Sequence, residues 1–431
     1  MKSEPKTLFV FYNAVPVGQV TEKADGVLSF QYDRSWLTSG AGFAISQSLP
    51  LRPQVFSGGA AHAYFANLLP EGRLRSNLAQ TLSISEGDDF LFLRELGQEI
   101  AGALRILTSP TPDAPKHAPS SRRPIDAEAL KLFHLQSSVA SVYNDRRRHL
   151  RLSLAGAQQK LPVLFDPSGG GLWTTDGSEP STHILKITNR DYKALPENEY
   201  YLNMTARLAG LPVPAAFLIP VPPVSLTSNK RPFRFLVIER YDRIREGSSV
   251  KRLHQEDLCQ ALGILPSKKY EKEGGPSLLD AFRMTETIAN NPVIDLDRLV
   301  EWTVFNLVCG NADAHGKNLS FLYRENSAGL SPFYDLVSTR AYPSLDRAMA
   351  MTIGGSSDLG QIGRNDWQSL ARNTRVAAPY LLKKVKSTSE RIEEAADQAY
   401  KEFAHEVGRI ELINQIRLEI HRQARRTREL L

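Results

Sequence analysis

The chain has 431 residues, 42% hydrophobic and 23% charged, an ordinary globular balance in a chain too long for one small core, so two or three domains are expected. Its two cysteines, Cys259 and Cys309, exclude a disulfide framework. The opening MKSEPKTLFVFYN lacks the 7–15-residue apolar core of a signal peptide, and no run approaches the ~20 apolar residues of a membrane span, so a soluble, cytoplasmic protein without membrane contact is expected.

In chain order, LFVFYN and VPVGQV alternate apolar residues around Asn13-Ala14 and predict a hairpin, with VLSFQY as a further strand. AAHAYFANLLPEGRLRSNLAQTL has helical spacing, broken at Pro70 and Gly72, and ALRIL returns as a strand. SPTPDAPKHAPSSRRP, Ser109 to Pro124, is too poor in large apolar residues to bury much surface and marks the main boundary. AEALKLFHLQSSVASVY reads as a helix. Strands follow in LRLSLAGAQQKLPVLF, THILKIT, AAFLIPV and FRFLVIERYD, with the helix ENEYYLNMTARLAGL among them. Beyond residue 255 the pattern is mostly helical (EDLCQALGIL, LLDAFRMTETIA, LDRLVEWTVFNLVC), interrupted by the strand pair LSFLYRENSAGLSPFYDLV. This divides the chain into an N-terminal α+β unit over 1–108, a linker over 109–125, a strand-rich lobe over 126–243 and a helical lobe over 244–431.

The net charge is +6, and the surplus is uneven: residues 111–431 hold 44 Lys and Arg against 37 Asp and Glu. The clusters Arg146-Arg147-Arg148, Lys383-Lys384 with Lys386, and Arg422 to Arg428 suit either solvated helix faces or phosphates.

The densest chemistry is in GNADAHGKNLSF, Gly310 to Phe321. Asp313 and Asn318 have the D-x-x-x-x-N spacing of a protein-kinase catalytic loop. A carboxylate accepts the proton of an attacking hydroxyl, and five residues on a neutral carboxamide oxygen ligates magnesium without adding charge repulsion. The strand pair that follows ends on Asp335, where a kinase places its main carboxylate to the metal. Lys186 sits within the strand THILKIT, placed to hold nucleotide phosphates. Glu197 or Glu199 of the next helix would position it, and Glu199 lies nearer the apolar face through Tyr200, Met204 and Leu208. RLSLAGAQQK has one glycine and is no Walker loop, yet Ser153, Ala155, Gly156 and Ala157 permit close backbone approach to phosphates. FLVIERYD ends an apolar strand in Glu239 and Tyr241, suited to the adenine edge. Asp313 and His315 also form a D-x-H pair, but no third clustered ligand supports a metal-dependent hydrolase, and His315 fits better as a residue bracing the loop.

Together these segments resemble the HipA family, the serine/threonine-kinase toxins of bacterial HipBA toxin–antitoxin modules. LSLAGAQQKLPVL is similar to the family's phosphate-loop segment, which brings Lys160 into the cofactor-binding set with His315. THILKIT, NEYYLNMTARLAGLPVP, VIERYDR, RLHQEDLCQALG with KYEKEGGP, GNADAHGKNLSFLY and PFYDLVS follow in the family's order. The resemblance implies an α+β, two-lobed protein-kinase-like fold with an extra N-terminal α+β subdomain and an all-helical C-terminal lobe. It implies ATP and Mg2+ as cofactors, Asp313 as catalytic base, Asn318 and Asp335 as metal ligands, and autophosphorylation of Ser153 that shuts the enzyme off. It further implies an aminoacyl-tRNA synthetase as substrate, glutamyl-type in the best-known case. The implied partner is a HipB-like helix-turn-helix antitoxin that docks the kinase on operator DNA, where the late basic clusters could touch phosphates. The other reading is a catalytically weak member acting chiefly as a co-repressor. The family's TDGH-type loop reads NADAH here, with Ala314 in place of glycine, and the 109–124 linker is longer than the family's.

Overall fold

The computed structural model describes residues 6–111, 122–126, 129–130, 160–174, 179–186, 192–220, 233–247, 249–325 and 327–431. The chain divides into two compact units, Met1–Asp191 with Phe217–Ser267, and Tyr192–Ala216 with Lys268–Leu431. The predicted helix AEALKLFHLQSSVASVY, apart from Ala129 and Leu130, and the Arg146–Arg148 cluster lie outside the described residues.

The first unit opens with the predicted hairpin, Thr7–Tyr12 against Val15–Glu22, turned at Asn13. Leu28–Tyr32 and Phe56–Ser57 extend it on one side and Leu104–Leu107 on the other, giving five strands. Helices Gly59–Ala66, Gly72–Leu82 and Asp89–Leu96 accompany this sheet. A second sheet runs in the order Ala216–Pro220, Arg234–Glu239, His183–Lys186, Lys160–Phe165, Leu172–Thr174, Arg123–Pro124. Alternation along these strands sends Leu161, Val163, Leu185, Phe235 and Val237 into the same apolar cluster as Val10, Phe30, Phe65 and Phe92.

A buried ionic network joins the N-terminal segment to the second sheet. Arg240 clasps Asp242 with two bonds, Nε to Oδ1 at 2.9 Å and Nη2 to Oδ2 at 2.7 Å. Its Nη1 reaches Glu99 at 3.0 Å, and Arg252 reaches the other oxygen of Glu99 at 2.6 Å. Arg243 contacts Glu99 at 3.2 Å and donates to the carbonyl of Gly102, whose amide donates to Asp242 at 2.7 Å. These side chains are at most 6% exposed. Burial alone would raise the carboxyl of Glu99, but the three guanidiniums and the Ser181 hydroxyl bring it down to about 2.

The second unit contains helices Leu195–Leu208, Leu278–Ile288, Pro292–Cys309, Arg364–Arg372, Ala378–Glu406 and Glu411–Glu429. It also contains the hairpin Ser320–Arg324 with Ser327–Leu330, and Ala348–Ile353 paired with Ser356–Asp358. Residues 244–431 are therefore not all helical: short runs such as AMAMTI, bounded by turn residues like Gly354-Gly355, are too brief for a stable helix and pair as strands. Helix Leu195–Leu208 also departs from the one-faced expectation. Every residue from Pro196 to Ala206 is buried, because Tyr200 and Tyr201 dock on helix Ala378–Glu406 through bonds to Glu406 and the Ala396 carbonyl. Both cysteines are buried free thiols. The late basic clusters are partly consumed internally: Lys384 pairs with Asp297 and Glu301, Arg422 with Glu419, and Arg428 with Glu393. Among the described residues no helix is long and apolar enough to cross a membrane.

Candidate active site

Helix Pro292–Cys309 starts with Asn291 as its cap and Pro292 in the first turn, and ends at Gly310 in the left-handed conformation, φ +68°. The chain then turns inward, and its polar residues supply the partners that buried backbone requires. Asn311 donates to the Asn306 side chain at 2.8 Å and accepts from the Asp313 amide at 3.1 Å. The hydroxyl of Thr339 accepts from the Ala312 amide at 2.8 Å and donates to the Gly310 carbonyl at 3.2 Å. A Cβ at Gly310 would sit 3.1 Å from Arg340 on a backbone that L side chains disfavour. Gly310→Ala is therefore expected to cost about 1–2 kcal/mol, read as a lowered urea midpoint.

The loop closes on Asp313. The His315 amide donates to the Asp313 carbonyl at 2.9 Å, and Gly316–Asn318 form one 3-10 turn. The Asn318 carboxamide nitrogen donates to the same carbonyl at 2.9 Å, which leaves its Oδ1 with no protein partner among the described residues. Residues 311–320 are buried except Asp313, which is exposed. His315 is 6% exposed, with the Tyr270 ring edge-on to it at 5.2 Å.

The strand expected to end on Asp335 does not run that far. The second strand of the hairpin stops at Leu330, and residues 331–338 have no regular structure. Pro332 cannot continue a ladder, and Asp335 has φ +52°, a left-handed conformation incompatible with a strand. Both sides of Asp335 are clamped. The Phe333 amide donates to Pro212, the Tyr334 hydroxyl donates to the Lys317 carbonyl at 2.7 Å and meets Ser320 Oγ at 2.6 Å. Asn198 exchanges two bonds of 3.0 Å with the backbone of Ser338. A strained non-glycine residue held from both sides points to a functional carboxylate. An amide oxygen from Asn318 with a carboxylate from Asp335 would be a hard, all-oxygen donor set of the kind that fits Mg2+. Among the described residues no three His, Cys, Asp or Glu side chains cluster to hold a metal ion.

The first unit holds Lys160, Lys186, Glu239 and Tyr241. Lys160 and Lys186 are directly opposite in antiparallel strands, so both side chains leave the same face, and Lys186 is 3% exposed. Glu239 is exposed at the end of its strand opposite His183, while the Tyr241 hydroxyl is bonded to Gln255. Glu199 is 2% exposed on helix Leu195–Leu208, so the predicted Lys186–Glu199 pair has its members in different units. Ser153, Ala155, Gly156 and Ala157 lie outside the described residues. Sequence reasoning missed Asn198, Thr339 and Tyr270; NEYY and KYEKEGGP carried two of them in plain view.

Comparison with known proteins shows the family. Residues 8–107 match the HipA N-terminal domain, and residues 152–406 match the HipA-like C-terminal domain. The chain is 30% identical over 370 residues to the serine/threonine-protein kinase toxin HipA of Shewanella oneidensis, covering 83% of this chain and 80% of that one. It is 38% identical over 390 residues to Y4mE of Sinorhizobium fredii, named only by inference as a kinase, covering 88% of each. Among solved structures it is similar to the Shewanella oneidensis toxin–antitoxin complex of HipA, HipB and operator DNA, with a TM-score of 0.81, 25% identity and 97% of each chain covered.

Proposed function

The chain belongs to the HipA family, with its kinase-like fold, and on that premise we propose that it is an ATP-dependent serine/threonine protein kinase acting as the toxin of a toxin–antitoxin module. The observation that carries the reading is the exposed carboxylate of Asp313 in an otherwise buried loop, with Asn318 bonded to the carbonyl of the same residue. Asp313 accepts the proton of the acceptor hydroxyl as that oxygen bonds to the γ-phosphorus; the bond to the β-phosphate oxygen breaks and ADP leaves. Asn318 and Asp335 are the residues that would hold Mg2+, which when bound neutralises phosphate charge. Lys160 and Lys186 hold the phosphates. Ser153, Ala155, Gly156 and Ala157 are small enough to permit close backbone approach to the phosphates. The strand end at Glu239 and Tyr241 frames the adenine, with the buried network around Arg240 fixing the residue between them.

The substrate proposed is an aminoacyl-tRNA synthetase, glutamyl-type, whose phosphorylation halts translation in the cytoplasm. Autophosphorylation of Ser153 then silences the kinase. The HipB and operator DNA of the structural relative support a helix-turn-helix antitoxin and operator DNA as partners, with Lys383, Lys386, Arg425 and Arg426 exposed for phosphate contacts. The test is incubation with ATP and Mg2+ followed by peptide mass spectrometry. Phosphate on Ser153, growth arrest on expression and a synthetase among newly phosphorylated proteins are expected. Absence of transfer to the chain itself or to any lysate protein, together with salt-dependent operator binding beside the antitoxin, would move the assignment to a co-repressor.

A further inference from the structure

The segment KYEKEGGP, Lys269 to Pro276, has no part in the reading above, yet it is built against the catalytic loop. The Tyr270 hydroxyl donates to Asp313 Oδ1 at 2.6 Å. Its ring stands edge-on to His315, with centroids 5.2 Å apart and planes at 82°. On one side of Tyr270, the Lys269 carbonyl accepts from the Gly316 amide at 3.2 Å. On the other, the Glu271 carboxylate accepts from the Thr352 amide at 2.5 Å and the Thr352 hydroxyl at 3.0 Å. The segment then closes on itself: the Gly275 amide donates to the Tyr270 carbonyl at 3.0 Å, and a Cβ at Gly275 would fall 1.9 Å from the Lys268 carbonyl oxygen. The phenol is thus flanked by a backbone bond at Lys269 and side-chain bonds at Glu271, and braced by a ring.

We infer that Tyr270 is a positioning residue for phosphoryl transfer, holding one oxygen of the Asp313 carboxylate so that the other faces the acceptor hydroxyl. The inference rests on the reading of Asp313 as proton acceptor. Asp313 has no side-chain partner other than Tyr270 among the described residues, so an exposed carboxylate that would otherwise sample several rotamers has one fixed contact. A charge-assisted bond of this length orients the group, and its second oxygen stays open to substrate. The anchoring through Gly316 and Thr352 belongs to a resident part of the site. A phenol that merely occupied the acceptor's place would have to leave for each turnover.

The experiment uses the full chain with γ-labelled ATP and Mg2+, scoring label on the chain itself and on lysate proteins. Tyr270→Phe keeps the ring on His315 and removes only the hydroxyl. Its transfer rate is expected to fall about ten- to a hundredfold, with nucleotide Kd and KM and the urea midpoint unchanged. Tyr270→Ala is expected to lose as much. A wild-type rate in Tyr270→Phe with a loss in Tyr270→Ala would assign the effect to ring packing and overturn the inference. A faster Tyr270→Phe would overturn it too, since the hydroxyl would then be competing with the acceptor. Asp313→Ala separates the two layers. If Asp313→Ala is impaired and Tyr270→Phe is normal, only the role of Tyr270 falls; if Asp313→Ala transfers phosphate normally, the assignment of the proton acceptor falls with it.

Discussion

Asp313→Ala is expected to lower phosphate transfer about a thousandfold, within the span typical for losing a general base, while leaving the fold in place. The side chain is exposed and makes one hydrogen bond, to Tyr270, so its removal opens no cavity and orphans no buried group. What shapes the loop is elsewhere: Gly310, the amide pairing of Asn306 with Asn311, the Thr339 hydroxyl, and Asn318 on the Asp313 carbonyl, which alanine retains. The urea midpoint should therefore match the wild type, nucleotide should still bind, and growth arrest on expression should disappear. Phosphate transfer at the wild-type rate by a folded Asp313→Ala chain would remove Asp313 from the chemistry and require another group to accept the proton of the acceptor hydroxyl.

How legible this site was depended on whether its parts were local in sequence. Asp313 and Asn318 are five apart, and the spacing could be read because both side chains belong to one loop. Lys186 was legible from alternation, as a lysine embedded among apolar strand residues. The strand expected to end on Asp335 stops at Leu330. LSPFYDLV has the aromatic and β-branched composition of a strand, but Pro332 and the left-handed Asp335 end the ladder at Leu330, and tertiary bonds from Asn198 and Lys317 set the conformation. Local propensity carries no information about such partners. The same limit applies to helix Leu195–Leu208, whose polar residues Asn198, Glu199 and Asn203 are buried by neighbours distant in sequence. Tyr270 meets Asp313 across a separation of 43 residues, and no periodicity connects them. The resemblance to a family supplied the order of the motifs, and it marked KYEKEGGP as shared without saying what the tyrosine does.

The buried network around Glu99 was the least legible feature and gives the largest expected effect on stability. Arg252 reaches Glu99 across 153 positions, so neither residue looked unusual in its own segment. Glu99→Gln keeps the shape and the bond from Ser181 but leaves Arg240, Arg243 and Arg252 facing one carboxylate, that of Asp242. Breaking a buried ionic cluster by removing one partner typically costs about 3–5 kcal/mol, because the remaining charges stay desolvated and uncompensated. The urea midpoint should fall accordingly. The pH dependence gives an independent measure. Glu99 is held down to about 2 from an ordinary value of 4.5, with its burial outweighed by the three guanidiniums, so the folded state gains stability that is fully present above pH 4.5 and is lost as pH falls toward 2. That separation corresponds to about 3 kcal/mol. Asp242, lowered in the same direction by Arg240 and Arg243 against its own burial, adds to the loss at the acid end. Glu99→Gln should therefore be less stable at neutral pH and flatter between pH 4.5 and 2 than the wild type. Parallel curves for the two proteins across that range would show that Glu99 does not carry its charge into the folded core. Because Arg240 stands between Glu239 and Tyr241, the variant should also weaken ATP binding well before it unfolds, a loss readable by titration at pH 7 in the absence of denaturant.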